Sequence, residues 1–581
     1  DALTEVFPRH GTKGTWYAHA SVGTLHVRPI LDMRRDGAIK MRAIAEEASA
    51  LVRRFKGAYS GEHGDGLCRG EWVQWQFGPR IHEAFTAIKR QLDPGALLCP
   101  GRIVDAPPMD DRDLMRYGNG YRVIPLTPAL DWSAWNVQND PATEALTPPG
   151  TGADPAQGFA KAVEMCNNNG HCRKFDAGTM CPSYRVTRDE QHLTRGRANT
   201  LRLALSGQLG EDGVRNPSVL EALDLCVSCK GCKRDCPTGV DMARMKIEVL
   251  AQQRRARGGA DSLKDKLLAR LPDYAPLAAR LAPLANLRNR WPWLARLMER
   301  RLGIAAARSL PEWKARHFFN APPATATREA LLAAERPVVL FVDTFNGYFE
   351  DANARDATAV LQAAGYTVHL AARADARGGH LCCGRTRLAV GDVDGAREKL
   401  RELLAALQPL AERGIAIVGL EPSCLLTLRD EALALGLGEA ARTVAGQALL
   451  LEEFLAREAT AGRLDALKAR LKPLAQPLLV HGHCHQKAFG AINPVLEVLR
   501  LIPGAQPVLI ESSCCGMAGS FGYEARHHGT SMQMAELSLL PAVRAQPEAI
   551  VVADGTSCRH QIHDGAARQA LHVARVLAGQ L

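Results

Sequence analysis

No stretch of this 581-residue chain approaches the ~18 consecutive apolar residues of a membrane-spanning helix, which argues against a helical span. No export signal opens it either, so its sixteen cysteines are not expected to form a disulfide scaffold. They point instead to a reducing compartment, the cytoplasm, and to metal chemistry. The formal net charge is +10, yet no recognition motif accompanies it, which argues against a nucleic-acid partner. The chain does not begin with Met: Asp1 opens DALTEVFPRHGTKGTW, which enters mid-domain. It is therefore expected to continue a longer protein, or to be a fragment of one. What is present is ordinary globular material, 46% apolar and 23% charged, long enough for several domains.

The cysteines are not spread evenly. Cys226, Cys229, Cys232 and Cys236 form C-x2-C-x2-C-x3-C-P, the run that holds iron–sulfur clusters in bacterial ferredoxins. Three closely spaced thiolates grip one cube, and the Cys before Pro reaches its neighbour. An upstream run, Cys166, Cys172 and Cys181-Pro, implies a second cube with crossed ligation. On that logic Cys226, Cys229, Cys232 and Cys181 hold one [4Fe–4S] cluster. Cys166, Cys172 and Cys236 hold the other, with Asn169 where its middle Cys belongs. That second cluster is [3Fe–4S], or a cube with a non-Cys ligand. The competing reading is a zinc ribbon, which rarely crowds four Cys into eleven residues before a Pro.

Residues 1–105 carry a different set of groups. WYAHASVGTLHVRPIL alternates like a strand and presents His19 and His26. A helical pattern follows, MRAIAEEASALVRRFKGAY, and then a Gly-rich loop with Glu62, His63 and Asp65. Two His and a carboxylate with open positions suit a divalent metal acting as Lewis acid, zinc by donor type. His63 beside them suits a base near neutral pH. The H-x6-H pattern, the EHGDG loop and LDPGALLCPGRIV resemble the C-terminal half of the FAD-linked 2-hydroxy-acid dehydrogenases. The resemblance implies metal binding by His19, His26 and Glu62, and catalysis by His63. It also implies FAD, bound largely by a preceding half that this chain lacks. One departure is LLCPGR, where Cys99 and Arg102 replace the family's Asn and Lys.

Residues 106–155, rich in Pro, Gly and Asp, read as a linker, and 156–258 as an all-helical ferredoxin-type domain. Residues 259–334 form a basic helical connector. Twelve Lys/Arg face four Asp/Glu between residues 262 and 318, which is +8 of the chain's +10. Short helices packed over neighbouring domains with Arg heads in water explain this, as does peripheral contact with anionic lipid at the inner membrane.

Residues 335–581 hold an internal repeat, 335–450 and 475–581. Each copy has an apolar strand, a Cys-Cys-Gly (Cys382-Cys383-Gly384, Cys514-Cys515-Gly516) and a Ser-Cys (Cys424, Cys558). Strands alternating with helices predict two parallel α/β units. Cys484 belongs to copy two alone; Asn346 holds the corresponding place in copy one. The repeat resembles the duplicated CCG domains of heterodisulfide reductases and of the glycolate oxidase iron–sulfur subunit. In the full pattern, C…CC…C-x2-C, the last Cys is missing here from both copies, at Thr427 and Gln561. Copy two keeps Cys484, Cys514, Cys515 and Cys558, enough for a [4Fe–4S] cluster. Copy one is expected to be a remnant with buried thiols. His481, His483 and His485 are candidate ligands, proton carriers or polar loop residues.

The fold expectation is thus multidomain, α+β and α/β. The order of the blocks resembles the C-terminal portion of the bacterial FAD and iron–sulfur D-2-hydroxy-acid dehydrogenases. That implies hydride transfer from a D-2-hydroxy acid, D-2-hydroxyglutarate above all, to FAD. Electrons then pass through the clusters to a quinone, a cytochrome or an electron-transfer flavoprotein. The alternative is an iron–sulfur electron-transfer subunit serving a separate flavoprotein. A zinc-stabilised scaffold leaves the doubled CCG motif unexplained.

Overall fold

The computed structural model describes residues 1–175, 178–372 and 380–581. They fall into two compact units, one of residues 1–124 and 133–158, the other of residues 125–132 and 159–581.

In the first unit the strand-like stretch is a hairpin, β1 (Gly14–His19) antiparallel to β2 (Thr24–Pro29). The turn needs Gly23, which sits at φ +65°. Along one strand, residues seven apart would face opposite ways. The hairpin pairs His19 with Thr24 instead, and His26 lies two residues further along that face. The helix Gly37–Arg54 buries Ile44 against Val6 and Phe7 beneath the ribbon. Gly14 is small because a Cβ there would sit 2.3 Å from the Phe7 ring.

The second unit begins with helices. Among the described residues from 159 to 258 there is no strand, as the sequence predicts. The helix Met242–Ala256 buries Glu248, whose carboxylate accepts from Ala129 N (2.8 Å), Leu130 N (2.9 Å) and Trp132 Nε1 (3.0 Å). Segment 125–132 is fastened to this unit by that side chain together with Gln252 and Arg255, which donate to Thr127 O at 2.9 and 3.0 Å. The basic connector is helical, but not all its Arg heads stay in water: Arg288 and Arg308 are buried. No helix among the described residues is long and apolar enough to cross a membrane.

The repeat folds as two four-stranded parallel sheets. Copy one uses β3 (Pro337–Phe341), β4 (Thr367–Leu370), β5 (Ala416–Gly419) and β6 (Ala448–Leu450), in the order β4-β3-β5-β6. Copy two uses β7 (Leu478–Val480), β8 (Pro507–Leu509), β9 (Ile550–Val552) and β10 (Ala570–Leu571), in the order β8-β7-β9-β10. The topology is the same in both, so the duplication extends to the fold. The order reverses between the first and third strands, which opens a crevice at their carboxyl ends. The cysteines of each copy lie in the segments leaving those ends.

The two copies are joined by a charge pair. Glu350 accepts from Arg559 Nε (2.7 Å) and Thr556 Oγ1 (2.7 Å). Burial alone would raise the Glu350 carboxyl, but the Arg559 charge and these bonds bring it down to about 2. Glu350→Ala leaves a buried guanidinium without its anion and is expected to cost about 3 kcal/mol. The native carboxyl titrates below its unfolded value of about 4.3, so the contribution is full above that pH and fades as pH falls toward the native value. Urea unfolding at about pH 7 and about pH 3 should show the gap between parent and variant narrowing in acid.

Candidate functional site

In the first unit three imidazoles converge on one carboxylate oxygen. Glu62 Oε1 lies 3.2 Å from His19 Nε2, 3.0 Å from His26 Nε2 and 2.7 Å from His63 Nε2. The ligand atoms of His19, His26 and Glu62 all fall within 4.8 Å of one another, close enough for a single ion. Tyr17 stacks on His26 at 4.1 Å and fixes its ring. Desolvation works to raise the Glu62 carboxyl, but the His63 bond and the nearby imidazoles hold it below its ordinary value. An ionised carboxylate flanked by imidazoles suits a divalent cation of borderline softness. Asp93 braces the neighbouring LDPG turn by accepting from Leu97 N and Leu98 N, both at 2.9 Å. Cys99 is exposed.

In the second unit Cys181, Cys226, Cys229 and Cys232 line one cavity, together with Arg197. These are the four thiols assigned to the complete cluster. Their loops are locked in place by specific bonds. Asp235 Oδ2 accepts from Thr179 N (2.8 Å) and Met180 N (3.1 Å), tying the Cys181 loop to the helix Gly231–Asp235. Gly231 leaves room for that loop, since a Cβ would lie 2.9 Å from Met180 N. Thr194 N (3.2 Å) donates to the Cys181 sulfur and Met242 N (3.4 Å) to that of Cys232. Burial pushes the Cys181, Cys229 and Cys232 thiols up. A metal is the usual way to hold such buried sulfurs as thiolates.

The cavity also carries buried positive charge. The Arg197 side chain, 3% exposed, donates to Ala222 O (2.9 Å) and Ser183 Oγ (2.8 Å), both neutral. Lys246 Nζ donates to Cys226 O (2.6 Å), and burial pulls its pKa down. Cations left beside neutral acceptors fit an anionic occupant, which four thiolates around an iron–sulfur core supply.

The second set is looser. Burial raises the Cys172 thiol to about 11, with Cys181 and Cys166 as its neighbouring thiols. Cys236 is half-buried and sits 3.3 Å from Thr238 Oγ1, after the helix that packs on the turn His171–Arg173. Asn169 is exposed. Its amide accepts from His171 N (2.8 Å) and donates to Asn167 Oδ1 (2.6 Å), so it is committed to its own loop.

In copy two, Cys484, Cys514, Cys515 and Cys558 are all buried. Cys558 and Cys515 approach to 3.5 Å between sulfurs. The hydrogen bond from Cys514 holds Cys484 down to about 6 against the burial that opposes it. The Gly of each Cys-Cys-Gly has a mechanical reason: Gly384 and Gly516 lie at φ +75° and +85° and turn an N–H onto the first sulfur. A Cβ at Gly516 would lie 2.3 Å from Ser531 O. Cys229 and Val227 share an apolar core with Cys484, Cys514 and Cys515, and His485 Nε2 lies 3.1 Å from Ser228 O. The ferredoxin-type run thus reaches the copy-two thiols directly.

Copy one brings Cys382, Cys383 and Cys424 together in the interior. Its counterpart to Cys484, however, is Thr344 rather than Asn346. Asp343 and His483 are the N-cap residues of the helices Thr344–Tyr348 and Cys484–Ala488, so Thr344 and Cys484 both open a helix. The strand pairings agree, since Phe341 pairs with Gly419, five residues before Cys424, and Val480 with Val552, six before Cys558. At the positions of the last Cys, Thr427 Oγ1 donates to Ser423 O (2.8 Å). Gln561 donates to Ser531 O (3.1 Å) and accepts from Arg308 Nη2 (2.5 Å). Arg308, Arg197 and Lys246 carry no motif and were not singled out from sequence; only burial reveals them.

Comparison with known proteins follows the same division. Residues 1–103 match the FAD linked oxidases, C-terminal domain; residues 162–240 match the 4Fe-4S dicluster domain; residues 478–563, within copy two, match the Cysteine-rich domain. D-2-hydroxyglutarate dehydrogenase of Escherichia coli (strain K12) is 28% identical over 609 residues, covering 95% of this chain and 54% of that protein. Its namesake in Pseudomonas putida is 27% identical, covering 97% of this chain and 55% of that protein. One subunit of the anaerobic glycerol-3-phosphate dehydrogenase of Escherichia coli (strain K12) is 27% identical over 341 residues, 58% of this chain and 82% of that protein. The chain spans about half the length of the D-2-hydroxyglutarate dehydrogenases it matches, and is similar to them along nearly all of its own.

Proposed function

We propose that this chain serves the oxidation of a D-2-hydroxy acid, D-2-hydroxyglutarate first among candidates, to the 2-oxo acid. The observation that carries this is the convergence of His19, His26 and His63 on Glu62. His19, His26 and Glu62 would hold a divalent metal, zinc by donor type, that binds the substrate's hydroxyl and carboxylate oxygens. His63, beside that oxygen cage, would take the hydroxyl proton. FAD, when bound, supplies the hydride acceptor, and iron–sulfur clusters supply one-electron carriers.

Cys181, Cys226, Cys229 and Cys232 would hold one [4Fe–4S] cluster; Cys166, Cys172 and Cys236 a second; Cys484, Cys514, Cys515 and Cys558 a third. In this reading the shared core around Cys229 and Cys484 keeps two of them close. The acceptor would be a quinone, a cytochrome or an electron-transfer flavoprotein. Contact with an anionic membrane surface through the connector is supported by exposed Trp291 and Trp293 beside Arg290, Arg300 and Arg301. The second reading, an electron-transfer subunit, is favoured by the similarity to the glycerol-3-phosphate dehydrogenase component. It leaves the histidine cage without a role.

His26→Ala tests the choice. Divalent-metal affinity is expected to fall by at least about 100-fold, with hydroxy-acid turnover lost and the visible iron–sulfur absorbance unchanged. Metal content and turnover equal to the parent's would leave the imidazoles a structural role and favour the second reading.

A further inference from the structure

Copy two presents one donor that its cysteine motif does not include. His481, 1% exposed, follows β7 at the carboxyl end of the sheet. Its Nδ1 lies 2.9 Å from Ser512 Oγ, whose own hydroxyl has Ile510 O at 3.4 Å as an acceptor. Lys487 Nζ also donates to Ser512 Oγ (3.1 Å), so the serine is held from several sides. With the proton on Nδ1, the lone pair of Nε2 is free. Nε2 makes no hydrogen bond to oxygen or nitrogen among the described residues. The imidazole lies beside Cys515 and Cys558, with one ring nitrogen and the two sulfurs within 4.8 Å of one another.

An imidazole fixed through one nitrogen, with the other free and two sulfurs beside the ring, is how metal-binding histidines are oriented. The full CCG pattern offers five sulfurs, and copy two has four. Gln561, at the place of the fifth, is turned away and spent on Arg308 and Ser531. Copy one supplies an internal control. The strand and cap register that aligns Thr344 with Cys484 aligns Phe341 with His481. The copy that lacks the first thiol also lacks the imidazole.

We propose that His481 Nε2 is a direct ligand of the iron–sulfur centre of copy two, the donor that stands in for the missing fifth sulfur. This rests on the reading of the four copy-two cysteines as a cluster site, and the experiment separates the two claims.

The full chain is purified without oxygen, once with natural and once with ¹⁵N-labelled histidine, and its reduced clusters are compared by pulsed electron paramagnetic resonance. Cys558→Ser identifies which signal belongs to copy two. That signal should carry a nitrogen coupling that changes with the isotope and vanishes in His481→Cys, while iron per chain stays at the parent's level. Should the cysteine variant fail to accumulate, His481→Gln is read the same way. If the copy-two centre gives no resonance, ⁵⁷Fe Mössbauer spectra should show one distinct iron site that is lost in the His481 variant.

Iron content and spectra untouched by Cys558→Ser would remove the cluster reading itself. A copy-two cluster without isotope-sensitive coupling or a distinct iron site would overturn the ligand assignment alone. A coupling that survives His481→Cys and disappears in His485→Gln would overturn it too, because it would place the nitrogen on His485, whose Nδ1 is also buried without a hydrogen-bond partner among the described residues.

Discussion

Cys229→Ser is expected to remove the iron of one whole cube and to reduce electron delivery to external acceptors to background. Cys229 lines the cavity shared with Cys181, Cys226 and Cys232, and its other close thiol neighbour is Cys484. It therefore stands between two candidate centres rather than at the edge of one. A serine oxygen fits the same space, so packing around Val227 should be kept and far-ultraviolet circular dichroism should match the parent's. Its higher proton affinity makes it a much poorer ligand than thiolate in a buried site. In the holoenzyme, substrate should still bleach the flavin, because the histidine cage is untouched. Iron per chain and acceptor reduction equal to the parent's would show that Cys229 binds no cluster.

The cysteine motifs were legible because ligand chemistry forces spacing. Neighbouring ligands of a cube suit thiolates three residues apart, and the structure brings Cys226, Cys229 and Cys232 to one cavity with Cys181. The repeat was legible for a similar reason, since Gly384 and Gly516 must accept positive φ beside a helix that leaves no room for a Cβ. The relation between His19 and His26 was only half legible. Their spacing contradicts a single strand and makes sense once the Gly23 turn folds the chain back. The counterpart of Cys484 was misread as Asn346 because short apolar strands slide against each other in a sequence comparison. Hydrogen-bonded register and helix caps do not slide, and they point to Thr344. Least legible were the buried charges. In sequence, Arg308 is one of many basic residues in the connector. In the fold its guanidinium is fully buried, bonded to Gly522 O (3.1 Å), Ser531 Oγ (3.1 Å) and Gln561.

Arg197→Met is expected to change stability with opposite signs in the iron-loaded and iron-free proteins. In the iron-free chain Arg197 is a buried cation whose partners among the described residues are the neutral oxygens of Ala222 and Ser183. Removing an uncompensated buried charge while keeping most of the side-chain volume should stabilise that form by about 1–3 kcal/mol. With a cluster in the cavity the balance reverses. Four thiolates and the core carry net negative charge against the guanidinium, so its loss removes attraction in a low-dielectric site. The loaded variant should be about 1–3 kcal/mol less stable than the loaded parent, by the same kind of accounting. Its cluster should also be harder to reduce, since the added electron loses a nearby positive charge. Urea unfolding of both forms, with and without chelator-stripped iron, measures the two differences, and a redox titration followed by electron paramagnetic resonance measures the potential. A destabilisation of equal size in both forms, with no change in potential, would mean that Arg197 only ties Ala222 to Ser183 and does not sense the charge in the cavity.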